Sequence, residues 1–212
     1  MSMKHFEKLL NKEEREIFSS LNSPIKIQEF IDEIPYSTDK FYRCPCAVLR
    51  DQKAHCFDGA IFAAAALRWH GFPPFVLDMI PNDRDDDHVL ALYKRNDHWG
   101  AVAKSNFVGL RFREPIYRNF RELVLSYFDD YYNLNGEKTL RGYTNPLNLS
   151  AFDNQQWMTR DEAMEAIAER MDRLRKFNLL TEEMVAGLSL KDKRSLEAGM
   201  HGTNSEGLFK PT

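Results

Sequence analysis

Between Cys56 and His70 the chain carries Gly59, Ala60, Ala63, Ala64, Ala65 and Ala66, together with Ile61, Phe62 and Leu67. Small residues on every side of a helix let other elements approach it closely from all directions. This stretch therefore predicts a central, buried helix around which the rest of the chain is arranged. Gly71 suits a left-handed cap at its C-terminus, and Pro73-Pro74 prevent continuation. The longest apolar run, residues 60–67, is far shorter than the roughly 20 residues a membrane span requires.

The flanking segments supply two further kinds of pattern. Ser23-Pro24 offers an N-cap and a first-turn proline, and Ile27, Phe30, Ile31 and Ile34 recur at helical spacing until Pro35. Residues 36–51, with Pro45 inside them, read as an irregular connection. Apolar runs of strand length stand at 75–80, 88–93, 98–103 and 107–112, with the acidic loop 82–87 and the turn Arg95-Asn96-Asp97 between the first three. Strands joined by short turns predict an antiparallel sheet. Phe120, Leu123, Tyr127, Phe128 and Tyr131 then share a helical face, and residues 133–150 read as loop. Thr159 to Glu162 has the form of a capping box ahead of Ile167, Met171 and Leu174. A short helix is expected after Thr181, and residues 199–212 read as a tail, flexible or docked in extended form. Helices, then a meander, then helices define an α+β class, with one domain over 1–178 and a helical extension and tail over 179–212.

Charge and cysteine content narrow the function classes. Lys and Arg number 29 against 32 Asp and Glu, a formal net charge of −3, so no general basic field favours nucleic acid or an anionic membrane. Three cysteines, Cys44, Cys46 and Cys56, are an odd and closely spaced set that does not make a secreted disulfide framework. Reduced thiols in the cytoplasm are the expectation, and the Lys- and Glu-rich first 21 residues have no apolar segment of signal-peptide type.

Chemistry concentrates at Ala54-His55-Cys56-Phe57-Asp58-Gly59, where an irregular loop turns into the buried helix. Unpaired N–H groups at a helix start favour a thiolate and an oxyanion. A thiolate nucleophile also needs an imidazole partner. His88 opens a strand directly after Asp83-Arg84-Asp85-Asp86-Asp87, and that acidic loop is expected to raise the pKa of a nearby imidazole.

These residues resemble the core of the transglutaminase-like, papain-like cysteine hydrolases and acyltransferases. The likeness rests on the cysteine opening a small-residue helix that ends in Leu67-Arg68-Trp69-His70-Gly71-Phe72-Pro73, on the strand after it, on Asp87-His88-Val89-Leu90-Ala91-Leu92-Tyr93, and on His98-Trp99-Gly100-Ala101-Val102. It covers residues 25–112. The resemblance implies a papain/transglutaminase-like core, with the cysteine helix packed on an antiparallel sheet and further C-terminal helices. It also implies acyl transfer or amide or peptide hydrolysis without a cofactor, with Cys56 as nucleophile and His88 as general base. The family's aspartate four residues after the tryptophan falls on Ala103 here, which leaves Asn106 as the candidate orienting amide.

Two other readings stay open. The first is a catalytically inactive binding module of the same fold. The second is a metal-binding protein using Cys44, Cys46 and Cys56, although the spacing is not a standard zinc pattern. Asp83 and Asp85 to Asp87 lack the glycine and distal glutamate of an EF-hand loop and read as a solvated acidic loop that favours a basic substrate. Gln52 could donate to an oxyanion, but its spacing to Cys56 is shorter than in papain-like enzymes, so it reads as an exposed loop glutamine. The basic stretch Lys104, Arg111, Arg113, Arg118 and Arg121 could form a carboxylate- or phosphate-binding face, but the favoured expectation is that it neutralises neighbouring acidic helix ends and the aspartate loop. His55 is expected to point away from Cys56.

Overall fold

The computed structural model describes residues 2–211. Helices α1 (Met3–Leu9), α2 (Lys12–Ser20), α3 (Pro24–Glu33) and α4 (Pro45–Asp51) lead into α5 (Cys56–Trp69). Strands β1 (Phe75–Pro81), β2 (His88–Arg95), β3 (His98–Val102) and β4 (Arg113–Tyr117) follow. Then come α6 (Phe120–Leu125), β5 (Leu140–Thr144), β6 (Leu147–Asn148), α7 (Glu162–Asp172), β7 (Lys176–Asn178), α8 (Glu182–Ala186) and α9 (Lys193–Gly199). The class is α+β, as its residue patterns predict. The sheet runs β4-β3-β2-β1-β5-β7, with β6 also on β1, and every pairing is antiparallel. Among the described residues no helix is long and apolar enough to cross a membrane.

Helix α5 occupies the centre. Every residue from Cys56 to Leu67 is buried, as small side chains on all faces permit. It ends on Gly71 at φ +87°, with the Phe72 and Gly71 N–H groups donating to the Leu67 and Arg68 carbonyls at 3.0 Å each, the pairing of a Schellman cap. The sheet is covered on both faces. Val76, Val89, Ala91, Tyr93 and Val102 pack with α5 and the N-terminal helices. Leu77, Met79, Leu90, Leu92 and Ala101 pack with Leu123, Val124, Tyr127 and Tyr131.

The closeness of α5 to its neighbours is measurable at Gly59. A Cβ there would stand 2.2 Å from Cβ of Lys104. That side chain is fixed, because its buried ammonium donates to the Ile31 carbonyl at 2.6 Å and also to the Ile34 carbonyl, closing the C-terminus of α3. We expect Gly59→Ala to cost about 1–3 kcal/mol through overpacking, read as a lower midpoint in urea.

Four local expectations are corrected. Residues 107–112 are turn rather than strand: the Phe107 N–H donates to Ser105 Oγ at 2.9 Å, and Gly109 packs against Asp130. The fourth strand starts at Arg113 instead. The connection 36–51 contains α4, because Pro45 sits in its first turn, where a missing N–H costs nothing. The segment 133–150 contributes β5 and β6. Thr159 caps nothing: α7 begins at Glu162, and the Asp161 carboxylate that precedes it accepts the Cys44 N–H at 2.7 Å.

Candidate active site

The start of α5 is held by its surroundings before any chemistry is considered. The Ser37 N–H donates to the Ala54 carbonyl at 3.0 Å and the Ala54 N–H to the Pro35 carbonyl at 3.2 Å, which brings Tyr36 alongside residue 54. Fully buried Asp58 accepts the His55 N–H at 3.2 Å on one oxygen and the Arg43 N–H at 2.9 Å on the other. Cys56 is thereby the first residue of a rigid helix, and it is itself buried.

Its sulfur faces polar groups. Sγ lies 3.2 Å from His55 Nδ1 and 4.0 Å from the Asp87 carbonyl oxygen. Tyr36 lines the same cavity as Cys56, and its hydroxyl favours the anionic form of the thiol. His55 therefore points at Cys56, contrary to the expectation, since the N-cap backbone turns its ring back over the next residue. His88 lies on the far face of β2. In the alternation along that strand Val89 and Ala91 face α5, while His88, Leu90 and Leu92 face the other layer. Among the described residues no hydrogen bond joins Cys56 to His88. They meet instead in the wall of one cavity of about 50 Å³ at the end of the sheet, which Asn106 and Tyr36 also line.

The His88 ring is oriented, though not by Asn106. Its Nε2 lies 2.8 Å from the Leu110 carbonyl oxygen. A carbonyl only accepts, so Nε2 carries the proton and Nδ1 keeps the lone pair. Asn106 is committed elsewhere: its Nδ2 donates to the Asn204 carbonyl at 2.9 Å and its Oδ1 accepts the Asn204 N–H at 2.8 Å. The candidate orienting amide thus tethers residues 200–211, and a backbone carbonyl takes the position it was expected to hold. Ala103 is buried, with its backbone bonded to Gln28.

Desolvation dominates the electrostatics. Burial pushes the Cys56 thiol well up, the Asp87 and Asp86 charges push it further, and the Tyr36 hydroxyl opposes them. Burial also draws His88 down to about 4. Both shifts run against the expected thiolate–imidazolium pair, because a closed site penalises each charged form. Asp87 is pushed up to about 6 by burial and by Asp86 and Asp172. The acidic loop is not simply solvated, since Asp86 and Asp87 line the spaces on both sides of Cys56.

Other candidates fall into structural roles. Gln52 adopts φ 53° at the C-terminus of α4 and donates to the Leu49 carbonyl at 2.6 Å. Arg111 pairs with Asp32 at 3.1 Å, and Arg113 lies over the Tyr127 ring at 3.9 Å. Cys44 and Cys46 are buried, and burial raises both thiols, Cys46 to about 12. Among the described residues no three Cys, His, Asp or Glu side chains are grouped to hold a metal ion. The residues that sequence reasoning missed are Tyr36, the Leu110 carbonyl and the direction of His55. Only the adjacency of His55 to Cys56 was a signal for any of them.

No family model matches the chain, and no curated protein sequence matches it. Among solved structures it is similar to Legionella pneumophila LapG, with a TM-score of 0.44 and 13% identity over 77% of this chain and 96% of that one. For calcium-bound Legionella pneumophila LapG the TM-score is 0.37 at 16% identity, over 50% of this chain and 72% of that one. For the EGTA-treated form it is 0.36 at 16% identity, over 50% and 70%. Likeness at this level transfers no residue role and no activity.

Proposed function

We propose that the chain is a cysteine-dependent hydrolase or acyltransferase acting on peptide, amide or other acyl groups, with Cys56 as nucleophile. The observation that carries this reading is a thiol at the first residue of α5, 3.2 Å from an imidazole nitrogen, in a cavity wall shared with a second imidazole of fixed tautomer. Cys56 Sγ attacks the carbonyl carbon while its proton passes to an imidazole. The first N–H groups of α5, which have no intrahelical partner, receive the oxyanion. Collapse expels the amine with that proton and leaves a thioester, which water or an amine then opens. His88 is the general base in this reading, through its free Nδ1. Its neutral state at physiological pH suits that role. The free thiols suit a reducing, cytoplasmic setting.

A second reading, a closed binding module of transglutaminase-like fold, is favoured by one observation: Cys56 is only 3% exposed. Iodoacetamide labelling across pH, read by mass spectrometry at each cysteine, separates the two. The enzyme reading expects labelling at Cys56 well ahead of Cys44 and Cys46, with the rate reduced on the order of tenfold or more in His88→Ala, the low end of what a positioned base contributes. The same loss in His55→Ala and none in His88→Ala would move the base to His55. Labelling of Cys56 no faster than of the two buried thiols, in wild type and both variants, would leave the binding module.

A further inference from the structure

On the side of Cys56 that faces away from His88 lies a second space of about 220 Å³, between the start of α5, strands β1 and β2, and the end of α7. Four carboxylates line it: Asp78, Asp86, Asp87 and Asp172. Asp78 is the informative one. It interrupts the apolar run of β1 on the face that carries Val76 and Val89, so alternation turns it toward α5, and it is 7% exposed. Its backbone N–H is bonded to Thr144 Oγ1 at 3.1 Å. Its Oδ1, by contrast, is a buried side-chain atom without any hydrogen-bond partner among the described residues. A buried carboxylate oxygen left unpaired is costly to the fold, and folded proteins rarely keep one without a use.

The lining supplies the rest of a recognition surface. Tyr42 and Phe57, with ring centroids 4.6 Å apart, form an aromatic wall, and Met171 and Ala168 add an apolar one. Such walls suit an alkyl stem and, through the aromatic faces, a cation. The carboxylates come from β1, the loop before β2 and the end of α7, and among the described residues no three are grouped as a metal site. The space therefore fits an extended organic cation better than a point ion.

We propose that this chamber is a subsite for the cationic side chain of a peptide ligand, a lysine or arginine whose charged head reaches Asp78 while its backbone lies at Cys56. The proposal rests on Cys56 marking the reacting end, and it deepens the functional reading by naming the substrate class as basic peptides. Burial first, and then the Asp87, Asp172 and Asp86 charges, hold the Asp78 carboxyl well above the usual range, against the single opposing charge of Lys176.

Binding of Nα-acetyl-L-lysine amide and of its uncharged near-isostere Nα-acetyl-L-norleucine amide, measured by calorimetry on the full chain, tests this directly. We expect the lysine compound to bind at least tenfold more tightly, and Asp78→Asn and Asp172→Asn each to remove most of that preference. Asp172 is exposed, so its variant folds whatever Asp78→Asn does. Equal affinity for the two compounds, or an unchanged preference in both variants, overturns the subsite. The readout needs no thiol chemistry, and Cys56→Ala keeps the preference. Failure of the nucleophile reading and failure of the subsite are therefore separate results.

Discussion

Removing residues 200–212 is expected to raise the rate of Cys56 alkylation by about tenfold or more while leaving the unfolding midpoint nearly unchanged. The segment forms a wall of the cavity that holds Cys56 and His88, through Gly207 and Phe209. Its attachments are few. The Asn106–Asn204 pair contributes two hydrogen bonds, and Asn204 Nδ2 reaches the Tyr36 carbonyl at 3.4 Å. At a net worth of about 0.5–1.5 kcal/mol each, such bonds hold the segment by only a few kcal/mol, well below a typical global stability. None of its described residues belongs to either buried core cluster, so local opening without unfolding is the expected behaviour. Asn106→Ala keeps the chain length and removes two of the bonds, so it should give part of the increase. The pH at which labelling becomes half-maximal should also fall in the truncated chain. Burial is the largest cause of the raised thiol, and exposure relieves it while the Tyr36 hydroxyl stays. An unchanged rate would mean that residues 200–211 do not control access to the sulfur.

What was legible in the sequence follows from how unambiguous each local signal is. The centre of the fold was readable because a helix of Gly and Ala fits only where neighbours crowd it, and α5 begins at Cys56 and ends on Gly71 as that pattern implies. Strands β1 to β3 were readable from their apolar runs and turns. The face that His88 occupies was not. In β2 both alternating sets, Val89-Ala91-Tyr93 and Leu90-Leu92, are apolar because the sheet is covered on both sides, so alternation carries no inside or outside label. The group on His88 Nε2 was beyond reach for a different reason: a main-chain carbonyl leaves no trace in residue identity. Pro45 misled because proline both breaks a helix and opens one. Asp78 was the opposite case, a visible anomaly inside an apolar strand whose meaning required knowing that its oxygen has no partner among the described residues.

Arg43→Ala is expected to cost on the order of 3–5 kcal/mol, the range for removing one partner of a buried ion pair and stranding the other. The Arg43 side chain is 2% exposed and reaches in several directions at once. Its Nε donates to Asp51 at 2.8 Å, its Nη1 to Ser37 Oγ at 3.1 Å, and its Nη2 to Asp39. Nη1 also lies 3.9 Å from Asp58 Oδ2, and the guanidinium stacks over Phe41 at 4.4 Å. Lysine cannot reproduce this fork, so Arg43→Lys should recover little of the loss. The damage reaches the site through Asp58, the fully buried carboxylate that fixes the start of α5 at His55. The pH dependence distinguishes this mechanism from simple loss of packing. Burial already raises the Asp58 carboxyl, while its bonds from the Arg43 and His55 backbones and then the charges of His55 and Arg43 hold it down. An acid with a raised pKa binds more protons folded than unfolded, so its contribution to stability falls as pH rises through that window. Deleting the Arg43 charge raises the carboxyl further and steepens the fall. Urea denaturation at pH 5 and pH 8 should therefore show a larger penalty for Arg43→Ala at pH 8. A penalty independent of pH would assign the loss to packing and remove Arg43 from the electrostatic support of the helix that carries Cys56.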